Sequence, residues 1–343
     1  MSTPAVTGPV DPVWAHPHRE PTSYPLILRT WAYAWWQPVV GLILMIGGAL
    51  ILVPLVLLPV LAIGIAIQGG DFSHEFNAAL EQTKITPAAL LYVNLTLAGM
   101  IPLAWFVVRV LHRLRLRWLI SVLPGVRWRF FGACLGLSVI ALLAQLAVGA
   151  ALPTDADDIG GHLQSVTGTM IALALVVLVT TPLQAMGEEF GFRGYAMQAF
   201  GALGDGLARR LGLGARTAER VAIVAAVIFS SVIFALAHGT QNFPLFFDRL
   251  AFGLLAGYLV YRTGGLEAGI ALHIWNNLFA FGFGIAFGQV QEMLTETEAS
   301  WWNLPLTITQ NGLYLILVIL VARRMGIDNR SRPPVLVEQT APV

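Results

Sequence analysis

Eight stretches of this sequence are long and apolar enough to cross a lipid bilayer, and they constrain the fold more than any motif does. They run at roughly 38–67, 88–108, 130–152, 168–187 and beyond, 221–238, 243–261, 267–288 and 304–322. A spanning helix needs about 20 mostly apolar residues. Lipid offers backbone groups no hydrogen-bond partner, so runs of this length must close their bonds internally as helices. The alternating pattern of a membrane β-barrel is missing. Composition points the same way: 57% of residues are hydrophobic and 11% charged, against about 25% charged in soluble domains. A soluble enzyme, a nucleic-acid binder and a disordered scaffold are thereby excluded. The predicted fold is all-α, a polytopic membrane bundle of about eight transmembrane helices. The first run is long enough to tilt, and Pro54 and Pro59 are placed to kink it.

Loop charge predicts the sidedness. Arg19, Arg29, Arg109, Arg113, Arg115, Arg117, Arg127, Arg129, Arg209, Arg210, Arg216, Arg220, Arg262, Arg323, Arg324, Arg330 and Arg332 fall on one side, 17 of the 20 basic residues. Asp71, Glu75, Glu81, Asp155, Asp157, Asp158, Glu292, Glu296 and Glu298 fall on the other. The positive-inside rule then puts both termini in the cytoplasm, with an even number of spans. Residues 1–37 read as an N-terminal cytoplasmic tail, 38–325 as the transmembrane domain and 326–343 as a C-terminal tail. Segments 1–28 and 326–343 are expected to be flexible, since they hold Pro and polar residues without periodicity. The first 37 residues do not read as a signal peptide. The lone Cys134 has no partner for an intrachain disulfide. A single lysine and a bias to Ala, Gly, Leu and Arg point to a GC-rich bacterial source, hence a bacterial cell membrane.

In a chain this apolar, an ionisable residue at membrane depth is a functional hypothesis by default. Three such clusters occur late in the chain. The first is Glu188-Glu189-Phe190-Gly191-Phe192-Arg193. Glu189 and Arg193 are one turn apart on a helix and can pair. Glu188 points about 100° away and is not neutralised in that way. The second cluster is Phe234-x-x-x-His238, and the third is His273-x-x-x-Asn277. Each alone reads as readily as an interfacial charge or a helix-packing hydrogen bond. Together they supply a base for water and donors for a developing oxyanion. Glu188, His238 and His273 would also make a plausible divalent-metal set, such as for zinc, with an open position for water. Ser230 and Ser231 read as packing residues.

The ordered triple Glu188-Glu189-x-x-x-Arg193, Phe234-x-x-x-His238 and His273-x-x-x-Asn277 resembles the three motifs of the CPBP intramembrane proteases. That family holds the type II CAAX prenyl endopeptidases and the bacteriocin-processing or immunity (Abi-like) proteins. The likeness covers about residues 168–290. It implies a membrane-embedded endopeptidase acting on a membrane-associated or lipidated peptide, with CAAX-box processing as the family's known task. On that resemblance Glu188 activates water with His238 as partner, and His273 and Asn277 stabilise the oxyanion. Glu189 and Arg193 hold the helix and the substrate end, with Phe234 in support. The family has been described both as metalloproteases and as metal-independent glutamate proteases. Asn is a poor zinc ligand, so the set leans slightly to direct activation of water. Partners are then a peptide substrate and the bilayer.

The depths of these residues conflict. Glu188 is some 20 residues into a span running inward, and His238 about 18 into one running outward. At about 1.5 Å per residue they would sit on opposite faces of the membrane. A shared water requires about 3 Å to each. The apolar segment through Tyr195, Met197 and Phe200 therefore predicts that the fourth helix continues to about residue 203. The His238–Asp248 connection is expected to be tucked into the bundle. Two other readings compete. In a proton-coupled transporter, Glu188, His238 and His273 would relay protons, but no internal repeat supports it. A catalytically silent immunity or scaffold protein would keep the fold alone.

Overall fold

The structure is a computed structural model that describes residues 17–18, 20–152 and 162–332. Arg19, Asp155, Asp157, Asp158 and the outer parts of both expected tails lie outside the described residues. Among the described residues, eight helices are long and apolar enough to span a membrane, one for each apolar run. They are α1 (Trp36–Gln68), α2 (Pro87–Leu111), α3 (Trp128–Gly149), α4 (Gly168–Arg210), α5 (Ala215–Leu236), α6 (Phe243–Thr263), α7 (Glu267–Phe287) and α8 (Asn303–Arg324). The protein is an all-helical integral membrane protein, and the described residues form no strand beyond two isolated bridges.

Local chemistry sets the helix ends. Thr86, Thr167 and Asn242 cap α2, α4 and α6, each accepting from a backbone N–H three residues on, which satisfies donors a helix start leaves open. The bend expected in α1 takes the form of a π turn at Gly48–Leu52, just ahead of Pro54. Pro54 has no N–H to give and its ring crowds the carbonyl four residues back, and the wider turn relieves both.

The long fourth helix controls the layout. It runs 43 residues and passes the expected end at 203 to reach Arg210. At 1.5 Å per residue it is roughly 64 Å long, about twice the apolar core of a bilayer. Its first half packs on α2 and α7, and its second half forms a hairpin with α5. The hairpin register is antiparallel, with Phe192 on Phe234 at 5.4 Å and Phe200 on Phe229 at 5.5 Å between ring centres. Helix α6 returns along α5, and α8 packs on α3 and α6. Lipid gives helices no hydrophobic drive to associate, so close packing of small residues takes that part. At Gly187 a Cβ would stand 2.1 Å from the carbonyl oxygen of Leu97. Only glycine lets α4 lie that close to α2 beside Glu188.

The described parts of the end segments are packed, contrary to the flexibility expected of them. Tyr24–Leu26 forms a short 3-10 turn. Tyr24, Ile27 and Leu28 are fully buried, and the Tyr24 hydroxyl donates to the Leu119 carbonyl. The Ser331 amide donates to the Thr22 carbonyl at 2.9 Å, and Arg330 pairs with Glu219 at 2.7 Å. Aperiodic segments can still seat single apolar side chains, which a periodicity argument does not register. Arg127 has a structural partner: it grips Glu267 through Nε at 2.8 Å and Nη2 at 2.6 Å, tying the start of α7 to α3. Ser230 and Ser231 are buried and bond back to the Val227 carbonyl, as packing residues do.

Candidate active site

Glu188 lies 20 residues past Gly168 and 22 before Arg210, near the middle of α4. Because α4 turns back as α5, the end of α5 returns to the same height. The conflict of depth is resolved by helix length. A π stretch, Phe190–Ala196, follows the two glutamates directly. Such widened turns recur at functional sites because they re-aim the side chains around them.

The two carboxylates have different neighbours. Glu189 is fully buried and pairs with Arg193 at 2.9 Å, also fully buried. The Arg193 guanidinium lies over the Phe234 ring, 3.9 Å from its centre, a cation–π contact strengthened by the dry surroundings. Glu188 makes no ion pair with Arg193. Its Oε1 accepts from the Gln184 side-chain amide one turn earlier. Gln184 Oε1 in turn accepts from Asn277 Nδ2 at 2.8 Å. Both N–H groups point along this chain toward Glu188, whose Oε1 accepts at its end.

Helix α7 runs antiparallel to the first half of α4, so His273 meets the glutamates and Asn277 meets Gln184. His273 Nδ1 is 3.0 Å from Glu189 Oε1, and its Nε2 is 3.8 Å from Glu188 Oε2. Gly269, one turn before His273, makes room for this: a Cβ there would lie 2.8 Å from Glu189 Oε2. Asn276 faces away, accepting from Gln310 on α8 at 2.7 Å.

Phe234 is the aromatic centre of the site. Its ring touches His238 at 4.8 Å, Phe252 at 5.7 Å and His273 at 6.1 Å. His238 follows the end of α5, and its Nδ1 lies 2.8 Å from the Phe234 carbonyl oxygen. A carbonyl only accepts, so Nδ1 carries the hydrogen and the neutral ring keeps its lone pair on Nε2. No hydrogen bond or ion pair links His238 to Glu188 among the described residues.

The connection after His238 departs from expectation. Residues 236–240 are exposed instead of tucked into the bundle. Asn242 anchors the turn, its backbone N–H donating to the Thr297 carbonyl at 2.7 Å and its Nδ2 to the Ala299 carbonyl at 2.9 Å. With α4 lengthened, nothing requires this loop to dip inward to bring His238 level with Glu188. Next to it, an apolar cavity of about 350 Å³ is lined by Met45, Met100, Gly191, Phe192, Ile233 and Ala237.

The sequence-predicted residues Glu188, Glu189, Arg193, Phe234, His273 and Asn277 are thus gathered on α4, α5 and α7, with His238 at the rim. Sequence reasoning missed Gln184 and Phe252. Gln184 carried a signal, being an uncharged polar residue in an apolar run exactly one turn before Glu188. Phe252 carried none. A metal set of Glu188, His238 and His273 is not formed: among the described residues no three His, Cys, Asp or Glu side chains gather closely enough to hold an ion. Glu188 Oε1 is already bonded to Gln184.

Comparison with known proteins agrees with this region. Residues 170–279 match the family model described as type II CAAX prenyl endopeptidase Rce1-like, so the chain carries an Rce1-like domain that contains every motif residue above. The chain is also similar to the uncharacterized protein YyaK of Bacillus subtilis (strain 168), at 23% identity over 222 residues, covering 62% of this chain and 69% of that protein. No solved structure matches it significantly.

Proposed function

We propose that the protein is an intramembrane endopeptidase that hydrolyses a peptide bond of a membrane-associated substrate, with Glu188 as the base for water. The observation that carries this reading is that Glu188 faces His273 at 3.8 Å and is joined through Gln184 to Asn277, inside an apolar bundle and within the Rce1-like domain. A protein that needed these residues for packing alone would pair them as it pairs Arg127 with Glu267.

The chemistry follows from the free atoms. Glu188 Oε2 takes a proton from a water, and the hydroxide oxygen bonds to the scissile carbonyl carbon. His238 Nε2 accepts from the same water and orients it. As the carbonyl oxygen becomes an oxyanion, it receives the second Nδ2 hydrogen of Asn277 and the Nε2 hydrogen of a His273 that carries hydrogens on both ring nitrogens, its Nδ1 hydrogen being held by Glu189. Each such donor is worth about 10²–10³ in rate. The carbon–nitrogen bond then breaks, and Glu188 returns its proton to the leaving amine. Glu189 fixes the ring of His273, and Arg193 balances its charge. The apolar cavity beside Phe192 and Ala237 suits an apolar side chain or lipid-like tail of the substrate.

Cleavage of a quenched peptide library in detergent, by wild type and Glu188→Ala, tests the proposal. Proteolysis lost with the substitution supports it, and equal turnover by both proteins defeats it.

A further inference from the structure

On the far side of α7 from Glu188, the bundle holds a second, half-open polar space. It is a cavity of about 230 Å³ between α3, α6, α7 and α8, lined by Gln145, Asp248, Asn276, Thr307, Gln310 and Asn311. Its height matches that of the active site, since Asn276 adjoins Asn277 and Asp248 is one turn from Phe252. The lining is incompletely satisfied by protein. Thr307 donates to Asp248 and Gln310 to Asn276. Asp248 makes no ion pair among the described residues. Asn311 is 9% exposed, and its Oδ1 has no hydrogen-bond partner. A carboxylate and a bare amide oxygen at membrane depth are costly unless water or a partner reaches them. One water occupies about 30 Å³ and needs two to four polar partners, and this space offers room and partners for several.

Beside α7, the Phe252 ring stands between this space and the active site. Phe252 lines the cavity on one face. It also packs on His273 at 5.2 Å and lies 5.4 Å from the Arg193 guanidinium carbon. Beyond the ring, Glu189 Oε2 and Arg193 Nε and Nη2 are buried with no partner either. Unsatisfied polar atoms therefore stand on both sides of one aromatic side chain. We propose that the cavity is a water chamber and that Phe252 is the movable partition through which it replenishes the water consumed in each hydrolysis. The supply role rests on the proteolytic reading, whereas hydration of the chamber does not.

Cysteine labelling in lipid nanodiscs separates the two parts. In a Cys134→Ala background, Gln145→Cys and Asn311→Cys place thiols in the chamber, and Leu143→Cys places one on the exposed apolar face of α3. Only a thiolate reacts, and a thiol facing lipid stays protonated, so a small charged thiosulfonate should label the chamber at least about 10-fold faster than position 143. Equal rates at all three positions overturn the chamber. For the partition, Phe252→Trp should lower kcat about 10-fold with KM unchanged. Unchanged kcat overturns the supply role. Labelling of the chamber in the cysteine variants, together with a wild-type protein that cleaves nothing, overturns the supply role through the protease reading and leaves hydration supported.

Discussion

His273 is held by Glu189 and only faced by Glu188: its Nδ1 donates to Glu189 Oε1 at 3.0 Å, while its Nε2 stands 3.8 Å from Glu188 Oε2. The adjacent glutamates thus divide their work, one orienting the imidazole and one left for water. Glu188→Gln should remove turnover by about 10³-fold or more while leaving the thermal midpoint nearly unchanged, because its partner is a neutral amide. Glu189→Gln should lower kcat about 10–100-fold through a loosened His273. It should also destabilise by about 3–5 kcal/mol, since fully buried Arg193 loses its counter-charge. Single-turnover cleavage and thermal melting of the two variants distinguish the roles. A fully active, stable Glu189→Gln protein contradicts the assignment.

Gln184 is the bridge between Glu188 and Asn277. Gln184→Leu keeps the helix and the side-chain volume but releases both ends of the chain. Asn277 then swings free of its oxyanion position, and kcat should fall about 10–100-fold, with KM changed far less. Gln184→Glu puts a second carboxylate against Glu188 and should be at least as damaging. Wild-type kcat in both variants would show the bridge to be packing alone.

Much of this was legible in the sequence because lipid makes it so. Each span is an apolar run of fixed minimum length, and the polar residues stand out against it. Even the extension of α4 past Glu188 followed from the depths of Glu188 and His238. What was hidden depends on register between helices. Gln184 joins the site only because α7 runs antiparallel to α4 at the height that faces it with Asn277. Phe252 joins because α6 returns along α5. The π stretch at Phe190–Ala196 and the packed Tyr24–Leu28 segment likewise arise from tertiary contacts, which no local period encodes.

The close approach of α4 to α2 gives a test of packing near the site. A methyl group at Gly187 would meet backbone, the Leu97 carbonyl oxygen at 2.1 Å, and backbone cannot swing aside as a side chain can. Gly187→Ala should therefore push α4 outward, cost about 1–3 kcal/mol, and lower activity by misplacing Glu188. Alanine at Gly282, where nothing lies within 4 Å of the new Cβ, should leave melting and cleavage unchanged. Equal melting of the two variants would mean that the α2–α4 contact is looser than described.

Donor geometry makes metal dependence testable as well. Among the described residues no three ligating side chains are placed to hold an ion, and Glu188 is bonded to Gln184. Dialysis against a chelator should leave kcat within about twofold, since no Lewis acid carries the oxyanion in this scheme. Activity lost on chelation and restored by zinc would require Glu188, His238 and His273 to close around an ion.

Acid should destabilise the fold through two histidines outside the spans. His18 lies against the Trp118 ring with its Nε2 2.7 Å from the Ile27 carbonyl oxygen. Burial pushes its pKa down to about 4, the bond to Ile27 opposing only in part. His112, bonded to the Tyr195 hydroxyl at 3.0 Å, is lowered by burial to about 4 as well. Unfolded, both titrate near 6.5. Between those values the unfolded chain binds more protons than the folded one, so stability falls as pH drops from about 6.5 to about 4 and levels off below. Each histidine contributes about 3 kcal/mol to that fall. His112→Gln, which keeps a partner for Tyr195 and cannot titrate, should flatten the pH dependence of the thermal midpoint across this window. A slope as steep as that of wild type would show that His112 is already charged in the fold.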